Sequence, residues 1–162
     1  MDDRSDLMAE IENWNSVSVK LLEMIETAET QDIVALGKTP LMGVAIAGLI
    51  ENYYTAVETL LYRISQRFGN SLEPARWHSE LLRRMTLDVP DTRPAVLSND
   101  AASKLDELMR FRHFKRYYFQ LEWDWDRLDH MVSTIRVLQP TLVREFQAFR
   151  EFVESLGRIA DE

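Results

Sequence analysis

TPLMGVAIAGLIENYYTAVETLLYRISQRF, Thr39 to Phe68, is the stretch that decides the fold. Thr39 is a good helix cap, and Pro40 suits the first helical position, where its missing N–H has no partner to lose. From Leu41 to Ile50 the stretch is apolar nearly all round, which predicts a central, buried helix. At the rise of an ideal helix it would run roughly 44 Å. Gly69 follows as a natural C-terminal stop. Further along this helix, Glu51 and Glu58 stand seven residues apart, on one face.

Working outward, Asp6 to Thr30 also reads as a helix. Leu7, Ile11, Trp14, Val17, Leu21, Leu22 and Ile25 recur at spacings of three and four. Gln31 to Lys38 reads as a connector broken at Gly37. After the central helix, Asn70 to Ala75 is a predicted loop, and Arg76 to Met85 a short helix burying Trp77 and Leu81. Pro90 and Pro94 block helix between Thr86 and Leu97. Ser98 is placed to cap a helix from Asp100 to about Phe119, and Asp124 to cap the next. That helix runs from Trp125 to about Leu138, kinks or restarts at Pro140, and ends near Arg158. No segment alternates as a strand does. The expectation is an all-α protein, a four- to five-helix bundle in one domain spanning residues 1–162.

The totals agree with a globular chain. Of 162 residues, 46% are apolar and 28% charged, which is unlike a disordered segment. The absence of cysteine excludes disulfides and thiolate metal sites and fits a reducing, cytoplasmic setting. The opening MDDRSDLMAEIENW lacks the basic leader and apolar core of a signal peptide, and the apolar run Leu41 to Ile50 is too short to span a membrane. A net charge of -8 argues against nonspecific binding of nucleic acid by the whole surface.

One segment departs from that charge. LDELMRFRHFKRYYFQLEWDW, Leu105 to Trp125, holds three Arg, one Lys and one His between Arg110 and Arg116, with no acid among them. On a helix, Arg112, Arg116 and Phe119 form one stripe. Asp106, Arg110, His113, Tyr117 and Gln120 form a second; Phe111, Phe114, Tyr118 and Leu121 form the most apolar. Two guanidiniums one turn apart repel, so they need solvent, acids or an anion; guanidinium suits a phosphate. His113 is a candidate proton carrier near neutral pH. The plainer reading pairs Arg110 with Asp106, leaves Lys115 solvated, and neutralises the two arginines with Glu51 or Glu58. His78 beside Trp77, and His130 beside Asp129, read as structural or surface residues. The sequence offers no glycine-rich phosphate loop, no metal-spaced histidines and no nucleophile elbow, so no cofactor and no metal are expected.

The chain resembles the HEPN superfamily, and within it the HepT-like proteins of prokaryotic toxin–antitoxin pairs. The likeness rests on LIENYYTAVETLLYRIS, ARWHSELLRRM, RPAVLS and LDELMRFRHFKRYYFQLEWDWDRL, in that order. It implies an all-α homodimer that cleaves RNA without a metal. Its motif Arg would hold the phosphate, and a His after four to six intervening residues would serve as acid/base for the ribose 2′-hydroxyl. A nucleotidyltransferase antitoxin would silence it by attaching AMP to a motif tyrosine. Carried over, the motif Arg is Arg112, the His position falls on Tyr117, and the tyrosine position on Phe119. A phenol accepts a proton poorly near neutrality, and phenylalanine cannot carry a nucleotide. The expectation is therefore a metal-independent endoribonuclease using Arg112, His113 and Tyr117, with Arg110, Arg116 and Tyr118 on RNA. The alternative is a catalytically inactive module that binds RNA, a nucleotide or a partner nucleotidyltransferase. A third reading is a helical scaffold whose arginines pair only with its own acids.

Overall fold

The computed structural model describes residues 3–68 and 77–160. Among these the protein is helical, with one isolated bridge between Val89 and Arg93 in place of any strand. Helix α1 is Asp3–Thr27, α2 is Ile33–Leu36, α3 is Pro40–Arg67, α4 is Trp77–Met85, α5 is Asn99–Arg116 and α6 is Trp125–Ala160. The expected stop at Gly69, the loop from Asn70 to Ala75 and the start of the short helix at Arg76 lie outside the described residues.

The expected caps form. Thr39 Oγ1 accepts from the Met42 N–H at 3.3 Å, and Ser98 Oγ from the Ala101 N–H at 3.2 Å. Asp124 Oδ1 accepts from the Asp126 N–H at 3.0 Å and opens α6. Three boundaries differ from the sequence expectation. The segment after α1 is not a connector: a π-helical turn, Ala28–Asp32, carries the chain straight into α2, with the Ile33 N–H bonded to the Ala28 carbonyl. Only Gly37, at φ +80°, ends it. Helix α5 stops at Arg116 rather than Phe119, because Trp123 must return over α3. A Cβ on Gly43 would lie 2.8 Å from Trp123 Cδ1, and Leu121 takes a left-handed φ of +60° to make the approach. Helix α6 runs unbroken through Pro140. The proline removes one donor, but Leu128, Val132, Ile135, Leu138, Leu142, Phe146, Phe149 and Val153 keep one buried stripe in phase across it.

Helix α3 lies at the centre, packed against α1, α4, α5 and α6. Its Ile50, Tyr53, Tyr54, Val57, Leu61 and Ile64 are completely buried. Two kinds of contact fix the register around it. Tyr53 donates to Gln139 Oε1 at 2.7 Å, and Gln139 Nε2 donates to Ser18 Oγ at 2.8 Å, joining α3, α6 and α1. Trp14 of α1 meets Phe146 of α6 edge to face at 4.6 Å. Between α4 and α5, the buried Arg93 donates to the carbonyls of Arg84, Leu87 and Pro94, which gives the proline-broken segment its shape. Burial pulls its pKa down. No described helix is long and apolar enough to cross a membrane.

Surface charge also supports α4. Glu80 accepts from Arg83 and Arg84, and these bonds hold its carboxyl well below the ordinary 4.5, at about 2. A depressed carboxylate favours the fold above its unfolded pKa and loses that contribution as pH falls through the folded value. The contribution is therefore intact above about pH 4.5 and fades toward pH 2. A carboxyl NMR titration should find Glu80 titrating near pH 2, and Glu80→Gln should remove that segment of the acid dependence.

Candidate functional site

Helices α3, α4 and α5 meet at a carboxylate. Glu58, on the α5-facing side of α3, is 6% exposed, and Arg112 of α5 is 7% exposed. Arg112 Nη1 donates to Glu58 Oε1 at 2.9 Å and Nη2 to Oε2 at 3.0 Å, a two-pronged pair. Nη1 also reaches Thr55 Oγ1 at 3.3 Å, and the guanidinium lies over the Tyr54 ring, 4.6 Å from its centroid. Glu58 Oε2 accepts two further bonds, from the Tyr54 hydroxyl at 2.8 Å and from His78 Nδ1 of α4 at 2.6 Å. Burial, and then the Glu58 charge, push the Tyr54 hydroxyl pKa up, so it stays a donor.

The tautomer of His78 follows from that geometry. At 2.6 Å from a carboxylate oxygen, Nδ1 must carry the proton. The 3.2 Å separation between Arg112 Nη2 and the same nitrogen is then proximity between two donors, not a bond. Nε2 is left without a partner among the described residues. Desolvating two opposite charges is costly unless their remaining bonding capacity is satisfied. Here Tyr54, Thr55 and His78 satisfy it.

The other basic residues of α5 divide in three ways. Arg110 pairs with Asp106 at 2.8 Å, on the surface. Lys115 is not left to solvent as expected: its Nζ lies 2.5 Å from Glu51 Oε2. Glu51 and Glu58 thus each neutralise one cation of α5. Arg116 is exposed and makes no ion pair among the described residues. His113 and Tyr117, both exposed, lie edge to face at 5.6 Å.

Because α5 ends at Arg116, the residues beyond it leave the three helical stripes. Tyr117 closes the helix. Tyr118 stacks on Phe114 at 5.1 Å and lies 4.9 Å from the Trp123 ring, and its hydroxyl donates to the Glu122 carbonyl. It is therefore held in an aromatic group, half-buried. Arg127 of α6 covers Phe114, its guanidinium 4.0 Å from the ring centroid. Phe119 is 81% exposed. The structure brings Arg116, His113 and Tyr117 together on the open end of α5, and takes Arg112 away from them into the interior. Among the described residues no group of His, Asp and Glu is arranged to hold a metal ion.

His78, Tyr54 and Thr55 are the members of this site that sequence reasoning missed. Glu58 and His78 are twenty residues apart, on different helices, and nothing local to WHSE announces the contact.

A family model described as HepT-like protein matches residues 45–153, from the first turns of α3 to the last part of α6. No curated protein and no solved structure matches the chain.

Proposed function

The chain belongs to the HepT-like protein family, and from that premise we propose that it is an RNA-binding module that holds RNA at the open end of α5 without cutting it. The observation that carries this reading is the division of the two arginines. Arg112 is engaged on both prongs by Glu58 inside the fold, while Arg116 stands in solvent with no acid paired to it among the described residues. The cleavage that the resemblance implies needs the motif arginine on the phosphate beside a proton carrier. A buried and neutralised Arg112 supplies neither reach nor free charge. Arg116 supplies the charge, and the exposed rings of Tyr117 and Phe119 supply faces on which bases can stack.

Titration of a labelled single-stranded RNA at several salt concentrations tests the reading. Affinity should fall as salt rises. Arg116→Ala should weaken binding and reduce the salt slope by about one. The RNA should remain intact between about pH 6 and pH 9 with chelator present. Binding that ignores Arg116, or cleavage by the wild type, would sink it.

The metal-independent ribonuclease of a toxin–antitoxin pair is the second reading. It is favoured by His113, Arg116 and Tyr117 lying exposed within about one turn. Turnover that vanishes in His113→Ala would establish it over the first. Either reading carries the family's expectation of self-association and of a nucleotidyltransferase partner, which co-purification and sedimentation would test.

A further inference from the structure

The aromatic residues on the far side of the buried ion pair have no part in the reading above. Trp77, the first residue of α4, lies against His78 with ring centroids 3.7 Å apart and planes 32° apart. Tyr62 of α3 meets the same indole edge to face at 5.5 Å. Together with Thr59, Arg63 and Gln66, Trp77 and Tyr62 line a hollow of about 300 Å³ whose inner wall is Glu58. Tyr62 and Arg63 are exposed, and Arg63 makes no ion pair among the described residues.

We propose that this hollow is a second RNA subsite, in which a base stacks on the Trp77 and Tyr62 rings while Arg63 takes an adjacent phosphate. The inference rests on the RNA-binding reading of α5 and extends it to α3 and α4.

The argument is one of prior order. A single strand is held by aromatic faces beside cations, and the binding is tighter when those faces need no ordering on contact. Here they are fixed in advance. Arg112 clamps Glu58 with two bonds, Glu58 holds His78 at 2.6 Å, and the His78 ring backs the indole. The buried pair thus serves the surface on its outer side. Position supports the same conclusion. Arg112 and Arg116 lie one turn apart on α5, so the α5 end and the hollow flank the same ion pair. His78 Nε2, without a partner among the described residues, can pair with a base. Asp6 and Glu10 share the next hollow, about 610 Å³, with Arg63 and Arg67, two acids facing two arginines.

The full chain, a labelled single-stranded RNA and the variants Trp77→Ala, Tyr62→Ala and Arg63→Ala form the test. Trp77→Ala should weaken binding about tenfold while leaving the salt slope unchanged. Arg63→Ala should weaken it and lower the slope by about one. Trp77→Phe, which retains a ring, should recover most of the Trp77→Ala loss. Tyr62 is exposed, so Tyr62→Ala leaves the core intact and reads the stacking surface even where Trp77→Ala unfolds; a loss of severalfold supports the subsite. Wild-type affinity in both Tyr62→Ala and Arg63→Ala, with binding still lost in Arg116→Ala, overturns the subsite and leaves the α5 reading standing. A wild type that binds no RNA overturns both.

Discussion

Replacing Glu58 by alanine is expected to cost about 3–5 kcal/mol of folding stability. The reason lies in what the carboxylate leaves behind. Arg112, 7% exposed, would keep its charge with no counter-ion, and the Tyr54 hydroxyl and His78 Nδ1 would lose their acceptor. The loss should appear as a lower urea midpoint at unchanged slope. Removing both charges tests the cause. Glu58→Leu combined with Arg112→Met replaces the pair by apolar groups and should recover the part of the loss that comes from the stranded charge, while the buried Tyr54 hydroxyl still lacks its acceptor. A cost below about 1 kcal/mol for Glu58→Ala would mean that water reaches Arg112 in solution.

The second large effect is expected at the opposite side of the bundle. Phe146→Ala should destabilise by about 3–5 kcal/mol, combining lost transfer energy with the cavity left behind. Phe146 is 1% exposed and meets Trp14 edge to face. The indole Nε1 of Trp14 is buried without a hydrogen-bond partner among the described residues, so apolar packing, the Phe146 ring included, keeps that side chain in place. Removing the phenyl group loosens α1 and α6 together. For a chain of this size, thermal unfolding should fall by about 10 °C. Val137→Ala, on the exposed face of the same helix, should shift stability by less than about 0.5 kcal/mol and serves as the comparison.

Local signals in the sequence placed the elements well where the chemistry is local. Thr39 with Pro40, and Ser98, are caps whose bonding partners lie three residues away, so the sequence displays both ends of the contact. Spacing identified the α1 and α3 core for the same reason. What escaped was set at a distance. AETQD, residues 28–32, carries no local mark of a π turn. Pro140 suggested a break, but the buried stripe on either side keeps the helix whole. Phe119 looked helical until the return of Trp123 onto Gly43 fixed where α5 must stop. At the site, Glu58 was identifiable as a counter-ion because a cation pair on α5 demanded one. His78 was not, because its partner is fixed only when α4 folds back on α3.

One practical result follows from the clasp between Arg112 and Glu58. Alanine at Arg112, the residue expected from the sequence to hold the phosphate, is the natural choice for an inert control, and it would leave a carboxylate without its counter-ion in the interior. A silent assay with that protein would report a damaged molecule rather than an abolished reaction. The sound control keeps the interior neutral, with both members of the clasp exchanged at once.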